Sequence, residues 1–281
     1  MEVIRNVARM QHLAHRLRGE RTRIALVPTR GHLHDGHLAL VRRALRLADV
    51  AIVSILPLAK EPTREEGEKR LSATLTNDVE LLISTGVNYV FAPPLGEFLP
   101  STAVTEVIVR GLTERLFSPL WPGYYVRAST ALTALLQVTA PEILCLGQKD
   151  PQLVALAKRL IGDLHIPCQL VTLPIVRERD GVAACRWLAA MSDQERQAAT
   201  LIYKALERAQ VMFGAGERDA ANLMESVREQ LEPASSIQID YLGVVDRETL
   251  EPLATIGDAP ALIAIAVTIG RARLIDNIIL E

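Results

Sequence analysis

Histidines at short spacing follow an apolar strand pattern near the amino terminus of the chain. Residues 27–44 read VPTRGHLHDGHLALVRRA, in which a strand pattern leads through a turn with Gly31 and Gly36 into a helix pattern. The first turn of a helix offers backbone N–H groups and the positive end of the helix dipole, and glycine lets the backbone approach an anion closely. This pattern predicts a phosphate-binding turn that contains His34 and His37.

Two imidazoles at such a turn predict nucleotidyl transfer, because N–H donors there would stabilise negative charge on an α-phosphate. The helix dipole favours the neutral imidazole of His37, which then keeps a donor N–H. Two other interpretations stay open from the residues alone. His32, His34 and His37 could bind a metal ion, with only Asp35 as a nearby carboxylate, or they could be polar turn residues without a role.

A second candidate pattern is GQKD at residues 147–150, where a buried strand pattern ends. Open α/β sheets bind ligands at the carboxyl ends of their strands. Lys149 could neutralise phosphate charge there, and Asp150 could cap the following helix or contact a ribose hydroxyl. A loop lysine followed by a helix cap explains the same residues without a ligand, so both interpretations stay open.

Alternating strand and helix patterns surround both candidates. Strand patterns cover residues 23–29, 50–56, 88–94, 142–147 and 167–176, with 105–109 as a further candidate. Helix patterns cover residues 3–17, 37–48, 74–84, 128–139 and 151–161. Such alternation predicts a parallel sheet with right-handed crossovers, as in an α/β domain.

The pattern changes near residue 176. Beyond it, helix patterns at residues 193–211 and 219–230 precede strand patterns at residues 237–246, 261–269 and 272–280. Helices followed by strands, without alternation, predict a small α+β domain. We therefore expect two domains, residues 1–176 and residues 177–281.

The composition excludes several classes of protein. Of the 281 residues, 49% are hydrophobic and 23% are charged, a globular balance that excludes disordered, collagen and coiled-coil chains. A net charge of −2 and an aromatic content of 4% argue against nucleic acid as the main partner. The sequence has no apolar run of membrane-spanning length and no secretory signal pattern, so we expect no membrane partner. Cys145, Cys168 and Cys185 form no paired motif, so we expect reduced thiols and a cytoplasmic location.

The two patterns, together with Asp180 and Gly181 and the tail GRARLIDNIIL, resemble the pantoate–β-alanine ligase (pantothenate synthetase) family nearly from end to end. The resemblance implies a Rossmann-like domain of the HxGH nucleotidyltransferase superfamily, a smaller α+β lid domain and a homodimer. It also implies the family reaction, in which the pantoate carboxylate attacks the α-phosphate of Mg-ATP and β-alanine then displaces AMP. The implied partners are these small molecules.

The resemblance also implies roles for individual residues. The implied catalytic residues are His34, His37 and Lys149, and the implied cofactors are ATP and Mg²⁺. The implied ATP-binding residues are Pro28, Thr29, Arg30, Gly31, His34, Gly36, His37, Gly147, Lys149, Asp150, Val176 and Arg186. The implied acid-substrate pocket consists of Arg30, Glu61, Gln152 and Leu153. We predict no metal site formed by protein ligands.

Several positions in the implied site depart from the family pattern. Arg30 replaces a methionine, and Glu61 and Leu153 replace glutamines that bind pantoate. The segment RPGHFRG becomes WPGYYVR at residues 121–127, and the MSSRN loop aligns with residues 184–188, where a shift of one position would let Arg186 serve. Leaving one substrate hydroxyl unpaired costs on the order of 1–3 kcal/mol, so we expect a pantoate pocket that is rebuilt or lost.

Three hypotheses follow for the function. The chain is a working pantoate–β-alanine ligase with an unusual site, or it is an AMP-forming amide ligase for another acid. Alternatively, it is a paralogue without catalysis that binds a nucleotide or a partner protein. AMP formation separates the first two from the third, and dependence on the acid separates the first from the second.

Overall fold

The structure is a computed structural model that describes the backbone of residues 1–56 and 64–281 and the side chains of residues 1–56 and 73–281. Glu61 therefore lies outside the described residues. The chain divides into two compact units. The first comprises Met1–Val109, Trp121–Gln148 and Leu156–Pro174, and the second comprises Arg110–Leu120, Lys149–Ala155 and Ile175–Glu281. Separate domains with a boundary at residue 176 stay a prediction.

A parallel sheet forms the centre of the first unit. Its six strands among the described residues are β1 (Glu2–Ile4), β2 (Ile24–Thr29), β3 (Val50–Ile55), β4 (Tyr89–Phe91), β5 (Ile143–Gly147) and β6 (Gln169–Leu173). They lie in the order β1-β4-β3-β2-β5-β6. Every residue of β3 is buried, as expected for a strand with both faces covered. The predicted α/β fold class is confirmed.

The direction in which the chain adds strands reverses at β2. From β2 the chain continues to β3 and β4 on one side, whereas β5 and β6 lie on the other side. Leu26 of β2 accordingly pairs with Ile52 of β3 and with Leu144 of β5. Such a reversal opens a crevice at the carboxyl ends of the two central strands. The turns that follow β2 and β5 therefore lie at one edge of the sheet.

Helices connect the strands. They are α1 (Val7–Gly19), α2 (Asp35–Leu47), α3 (Arg64–Ile83), α4 (Leu95–Phe98), α5 (Tyr124–Thr139) and α6 (Pro151–Asp163). Helix α2 packs against β2 and β5, and α1 packs against α5. Within the described ranges, none of the helices combines the length and hydropathy that a bilayer crossing requires.

The second unit contains an antiparallel sheet of β7 (Ile237–Asp246), β8 (Ala261–Ile269) and β9 (Ala272–Leu280). Two long helices, α7 (Asp193–Gly214) and α8 (Ala220–Leu231), pack against each other and contribute their apolar faces to its core. The three predicted strands have the observed bounds. The pattern of β8 is a continuous apolar run because this strand is buried on both faces, and such a run has clear ends in the sequence.

Two predicted elements were wrong. Val3 and Ile4 belong to strand β1, which pairs with β4, because the Asn6 side chain accepts the Arg9 N–H and so starts helix α1 only at Val7. Residues 105–109 are not a strand. The Val107 N–H donates to the Thr130 hydroxyl on α5, instead of to a neighbouring strand.

Candidate functional site

The turn between β2 and α2 has an unusual backbone. Gly31 and His32 both have positive φ, 79° and 53°, and this left-handed pair turns the chain sharply after β2. His34 then returns to an extended conformation, with φ −146° and ψ 176°, as the N-cap of α2. The predicted phosphate-binding turn therefore has the predicted order of strand, glycine turn and helix.

The two histidines cap helix α2 reciprocally. His34 Nδ1 accepts the Gly36 N–H at 3.2 Å, and His37 Nδ1 accepts the His34 N–H at 3.3 Å. This is the arrangement of a capping box, with imidazoles in the place of the usual hydroxyl and carboxylate groups. The ring centroids lie 4.0 Å apart.

The capping bonds fix where each imidazole carries its proton. Because Nδ1 accepts a hydrogen bond in both rings, the neutral form of each ring has its proton on Nε2. His34 and His37 are half-buried, beside the first N–H groups of α2. In its neutral form each ring therefore carries an Nε2–H group beside the positive end of the α2 dipole, an arrangement suited to an anion.

Asp78 on α3, a carboxylate that was not among the predicted site residues, supports this turn. The residue is only 2% exposed. Oδ2 accepts the His32 N–H at 2.9 Å, and Oδ1 accepts the Leu33 N–H at 2.7 Å. Burial raises the pKa of Asp78, and the bonds from Leu33 and His32 oppose that rise. The carboxylate holds the two residues that lead into the N-cap.

The sequence does contain a signal for Asp78. Asp78 lies three residues after Leu75 and four before the buried Leu82, so it occupies a position of the apolar stripe of α3. A carboxylate on such a stripe is rarely buried unless it has partners. That spacing indicates a buried carboxylate but does not indicate what it binds.

Gly31 packs directly on the carboxylate of Asp78, so a substitution of Gly31 should lower the stability of the protein. A Cβ on Gly31 would lie 3.1 Å from Asp78 Oδ2, at a φ of 79°. We expect Gly31→Ala to lower the free energy of unfolding by about 1–2 kcal/mol, measured by urea denaturation. Gly162→Ala in α6 is the matched control, because nothing lies within 4 Å of its added Cβ. A Gly31→Ala protein as stable as the wild type would contradict the contact.

The other predicted residues of the first unit surround the ends of β2 and β5. The Thr29 hydroxyl donates to the Ser54 carbonyl at 2.8 Å, and Pro28 precedes it on β2. Gly147 ends β5, and a Cβ there would lie 3.9 Å from Leu40 of α2. The sheet therefore brings Pro28, Thr29 and Gly147 to the edge that carries the histidine turn.

Arg30 extends from the same turn. It is exposed, and its guanidinium carbon lies 5.6 Å from the ring centroid of the buried Tyr124 on α5. Arg30 and Tyr124, which both lie at positions that depart from the family pattern, are therefore neighbours in the structure.

Lys149 and Asp150 belong to the second unit. Lys149 Nζ donates to the carbonyls of Ala184 at 2.6 Å and Ala183 at 3.3 Å. Asp150 Oδ1 accepts the Leu153 N–H at 3.1 Å, which is the helix-cap interpretation of that residue.

Gln152 is fully buried in the second unit. The two N–H donors of its Nε2 are shared among the carbonyls of Leu112 and Arg115 and the Ser118 hydroxyl, at 2.7–2.9 Å. Its Oε1 accepts the Phe117 N–H at 3.1 Å. These bonds fix the chain at residues 112–118. Gln152 therefore has a structural role, and its predicted contact with an acid substrate stays a prediction.

Val176 and Arg186 flank a hairpin in the second unit. The Val176 carbonyl accepts the Ala184 N–H at 2.9 Å, and the Arg186 guanidinium carbon lies 4.6 Å from the ring centroid of Trp187. Among the described residues, no group of three His, Cys, Asp or Glu side chains is placed to hold a metal ion.

Comparisons with known proteins find similar sequences and structures over nearly the whole chain. Residues 2–279 match the family model for pantoate-beta-alanine ligase. Pantothenate synthetase from Heliobacterium modesticaldum is 37% identical over 281 residues, all of both chains, and that from Caldicellulosiruptor bescii is 34% identical over all of this chain and 99% of its own. The crystal structure of pantothenate synthetase from Thermus thermophilus is 31% identical, with a TM-score of 0.87 over 99% of each chain.

Proposed function

Because this chain belongs to the pantoate–β-alanine ligase family, we propose that it joins pantoate to β-alanine with the conversion of ATP to AMP and pyrophosphate. The family match extends over nearly the whole chain. The comparisons favour this activity over ligation of another acid and over a binding role without catalysis.

The proposed reaction has two steps. A carboxylate oxygen of pantoate attacks the α-phosphorus of ATP, a new P–O bond forms, and the bond to pyrophosphate breaks. The neutral amine of β-alanine then attacks the acyl carbon of pantoyl adenylate. The bond to AMP breaks, the amine nitrogen gives up a proton to solvent, and an amide remains.

The arrangement of His34 and His37 carries this proposal. Both imidazoles place Nδ1 in a capping bond, so both offer Nε2–H at the N-terminus of α2. Charge builds up on the oxygens of the α-phosphate as the carboxylate attacks. Preorganised N–H donors at that position stabilise the transition state more than the ground state.

Mg²⁺ enters this proposal as part of the substrate Mg-ATP. Magnesium keeps several waters and binds through phosphate oxygens and at most one or two carboxylates, so it needs no dedicated cage of protein ligands. Bound to the phosphates, it neutralises charge on the leaving pyrophosphate. The residues that we assign to the phosphates themselves are His34, His37 and Lys149.

The remaining site residues keep their roles as predictions from the family. For ATP these are Pro28, Thr29, Arg30, Gly31, Gly36 and Gly147 in the first unit and Lys149, Asp150, Val176 and Arg186 in the second. For the acid they are Arg30, Gln152, Leu153 and Glu61, the last outside the described residues.

The experiment that tests the function is product analysis with the purified protein. Mg-ATP and pantoate are supplied with and without β-alanine, and the products are identified by mass spectrometry. Formation of AMP and pantothenate only when all three substrates are present supports the proposal. A folded protein that forms no AMP with pantoate contradicts it, and a screen of other carboxylic acids then separates another ligase from a binding protein.

Arg30 predicts a change in pantoate affinity. Since a long cation takes the place of the family's methionine, we expect Arg30→Met to lower the KM for pantoate about fourfold, the effect of burying roughly one more methylene. Arg46→Met on the exposed face of α2 is the control for the loss of a positive charge. A KM for pantoate that is unchanged or higher in Arg30→Met would refute this interpretation.

We also propose that the protein is a cytoplasmic homodimer, as the family resemblance implies. Light scattering coupled to size exclusion tests the dimer, since the chain mass of 30.9 kDa should double. A mass of one chain at micromolar concentration would contradict it.

A further inference from the structure

A short hairpin at residues 176–184, here called the 176–184 hairpin, follows β6 in the second unit. Its backbone pairs through the Ala184 N–H to the Val176 carbonyl at 2.9 Å and the Glu178 N–H to the Val182 carbonyl at 2.8 Å. Gly181, at φ 88°, forms its turn, and a Cβ there would lie 2.8 Å from the ring of Tyr203. The turn therefore packs tightly on α7 and requires glycine.

A buried ion pair clamps this hairpin to the antiparallel sheet. Arg177 donates through Nη1 to Asp276 Oδ2 at 2.7 Å and through Nη2 to Oδ1 at 2.9 Å. Nη1 also donates to the Gly181 carbonyl, and the guanidinium carbon lies 3.7 Å from the ring centroid of Tyr203. The side chains of Arg177 and Asp276 are only 17% and 5% exposed, so this fork-to-fork pair has a single geometry.

The far end of the hairpin holds Lys149. Its ammonium donates to the carbonyls of Ala183 and Ala184, the last two residues of the hairpin. The backbone of Lys149 is held as well, because the Asn277 side chain donates to its carbonyl at 3.4 Å and the Asn277 N–H donates to Asp276 Oδ1 at 2.7 Å. Asp276 is thus linked to the ammonium of Lys149 through Arg177 and the hairpin, and to the backbone carbonyl of Lys149 through Asn277.

We propose that Arg177 and Asp276 are positioning residues that fix the ammonium of Lys149 through the 176–184 hairpin. The catalytic importance of this positioning rests on the proposed function, in which Lys149 binds phosphate. The positioning also explains two motifs that the reaction does not use directly. Gly181 is needed for contact with Tyr203, and the tail GRARLIDNIIL supplies Asp276 and Asn277.

The test measures the reactivity of individual lysines. The full-length protein is acetylated briefly with an N-hydroxysuccinimide ester, and the labelling rate of each lysine is read by peptide mass spectrometry. Lys158 and Lys204 are exposed and serve as internal references. Since two carbonyls hold the Lys149 ammonium, Asp276→Asn should raise its labelling rate about fivefold relative to the references. Arg177→Lys keeps the buried charge paired but loses the planar fork, so it should act in the same direction.

The control is Glu229→Gln, which breaks the exposed ion pair with Arg208 on the neighbouring helices of the same unit and should leave all rates unchanged. An unchanged Lys149 rate in folded Asp276→Asn and Arg177→Lys would overturn the proposal. An equal rise at all lysines would do so too, because it reports general unfolding. Labelling in the presence of Mg-ATP tests the proposed function separately. A lower labelling rate of Lys149 with Mg-ATP supports phosphate binding by this lysine. An unchanged rate refutes phosphate binding, while the result on positioning stands.

Discussion

His37→Asn is expected to lower the rate of AMP formation by about 10²–10³-fold, the usual cost of removing one preorganised donor from a developing negative charge. Asparagine places an amide oxygen near the position of Nδ1. It can therefore keep the capping bond from the His34 N–H, but it has no donor at the position of Nε2. The substitution removes the proposed catalytic atom and leaves the helix cap in place.

A second substitution, His37→Gln, separates the capping role of Nδ1 from the proposed catalytic role of Nε2. Glutamine places an amide N–H near the position of Nε2 but reaches past Nδ1, so His37→Gln should keep about tenfold more activity than His37→Asn. His12→Asn on the exposed face of α1 is the matched control and should leave the rate unchanged. Initial rates of AMP release at saturating Mg-ATP are the measurement. Activity of His37→Asn within threefold of the wild type would show that Nε2 is not used.

Asp78→Ala should have the largest effect on stability, a loss of about 2–5 kcal/mol in the free energy of unfolding. It leaves the backbone N–H groups of the partly buried His32 and the buried Leu33 without their acceptor. The same change should lower the rate of AMP formation about 10²-fold, because a shift of about 1 Å at the turn misplaces both imidazoles.

Urea denaturation and AMP release give the two readouts for Asp78→Ala. The control is Asp163→Ala on α6, an exposed carboxylate paired with Arg159 at 3.0 Å, which should change stability by less than about 1 kcal/mol. A stable, active Asp78→Ala protein would show that the turn keeps its shape without the carboxylate.

The raised pKa of Asp78 adds a pH signature. Burial is its main cause, so on raising the pH above the ordinary value of 3.8 the unfolded chain releases the Asp78 proton before the folded chain does. The contribution of this group to stability is therefore full below pH 3.8 and is lost as the pH rises through the folded pKa. The stability of the wild type relative to Asp78→Asn should fall across that window. A difference that does not vary with pH would argue against burial of an ionisable carboxyl.

The local elements of this protein follow from its amino-acid sequence alone. The three strands of the antiparallel sheet are continuous apolar or alternating runs with clear ends, and their bounds were predicted as observed. The turn around His34 and His37 was also predictable, since a strand end, two glycines and a helix start are all encoded within one short segment. Such features depend on neighbours in the chain, which is why pattern and spacing were sufficient.

The identity of the distant groups that hold that turn and the lysine depends on how the whole chain folds. Asp78 reaches the backbone of His32 across 46 positions of the chain, and Arg177 meets Asp276 across 99. The sequence also does not indicate that the amide of Gln152 is hydrogen-bonded to the chain at residues 112–118. Buried polar groups must find partners wherever the fold brings a donor or an acceptor, and spacing along the chain does not record that proximity.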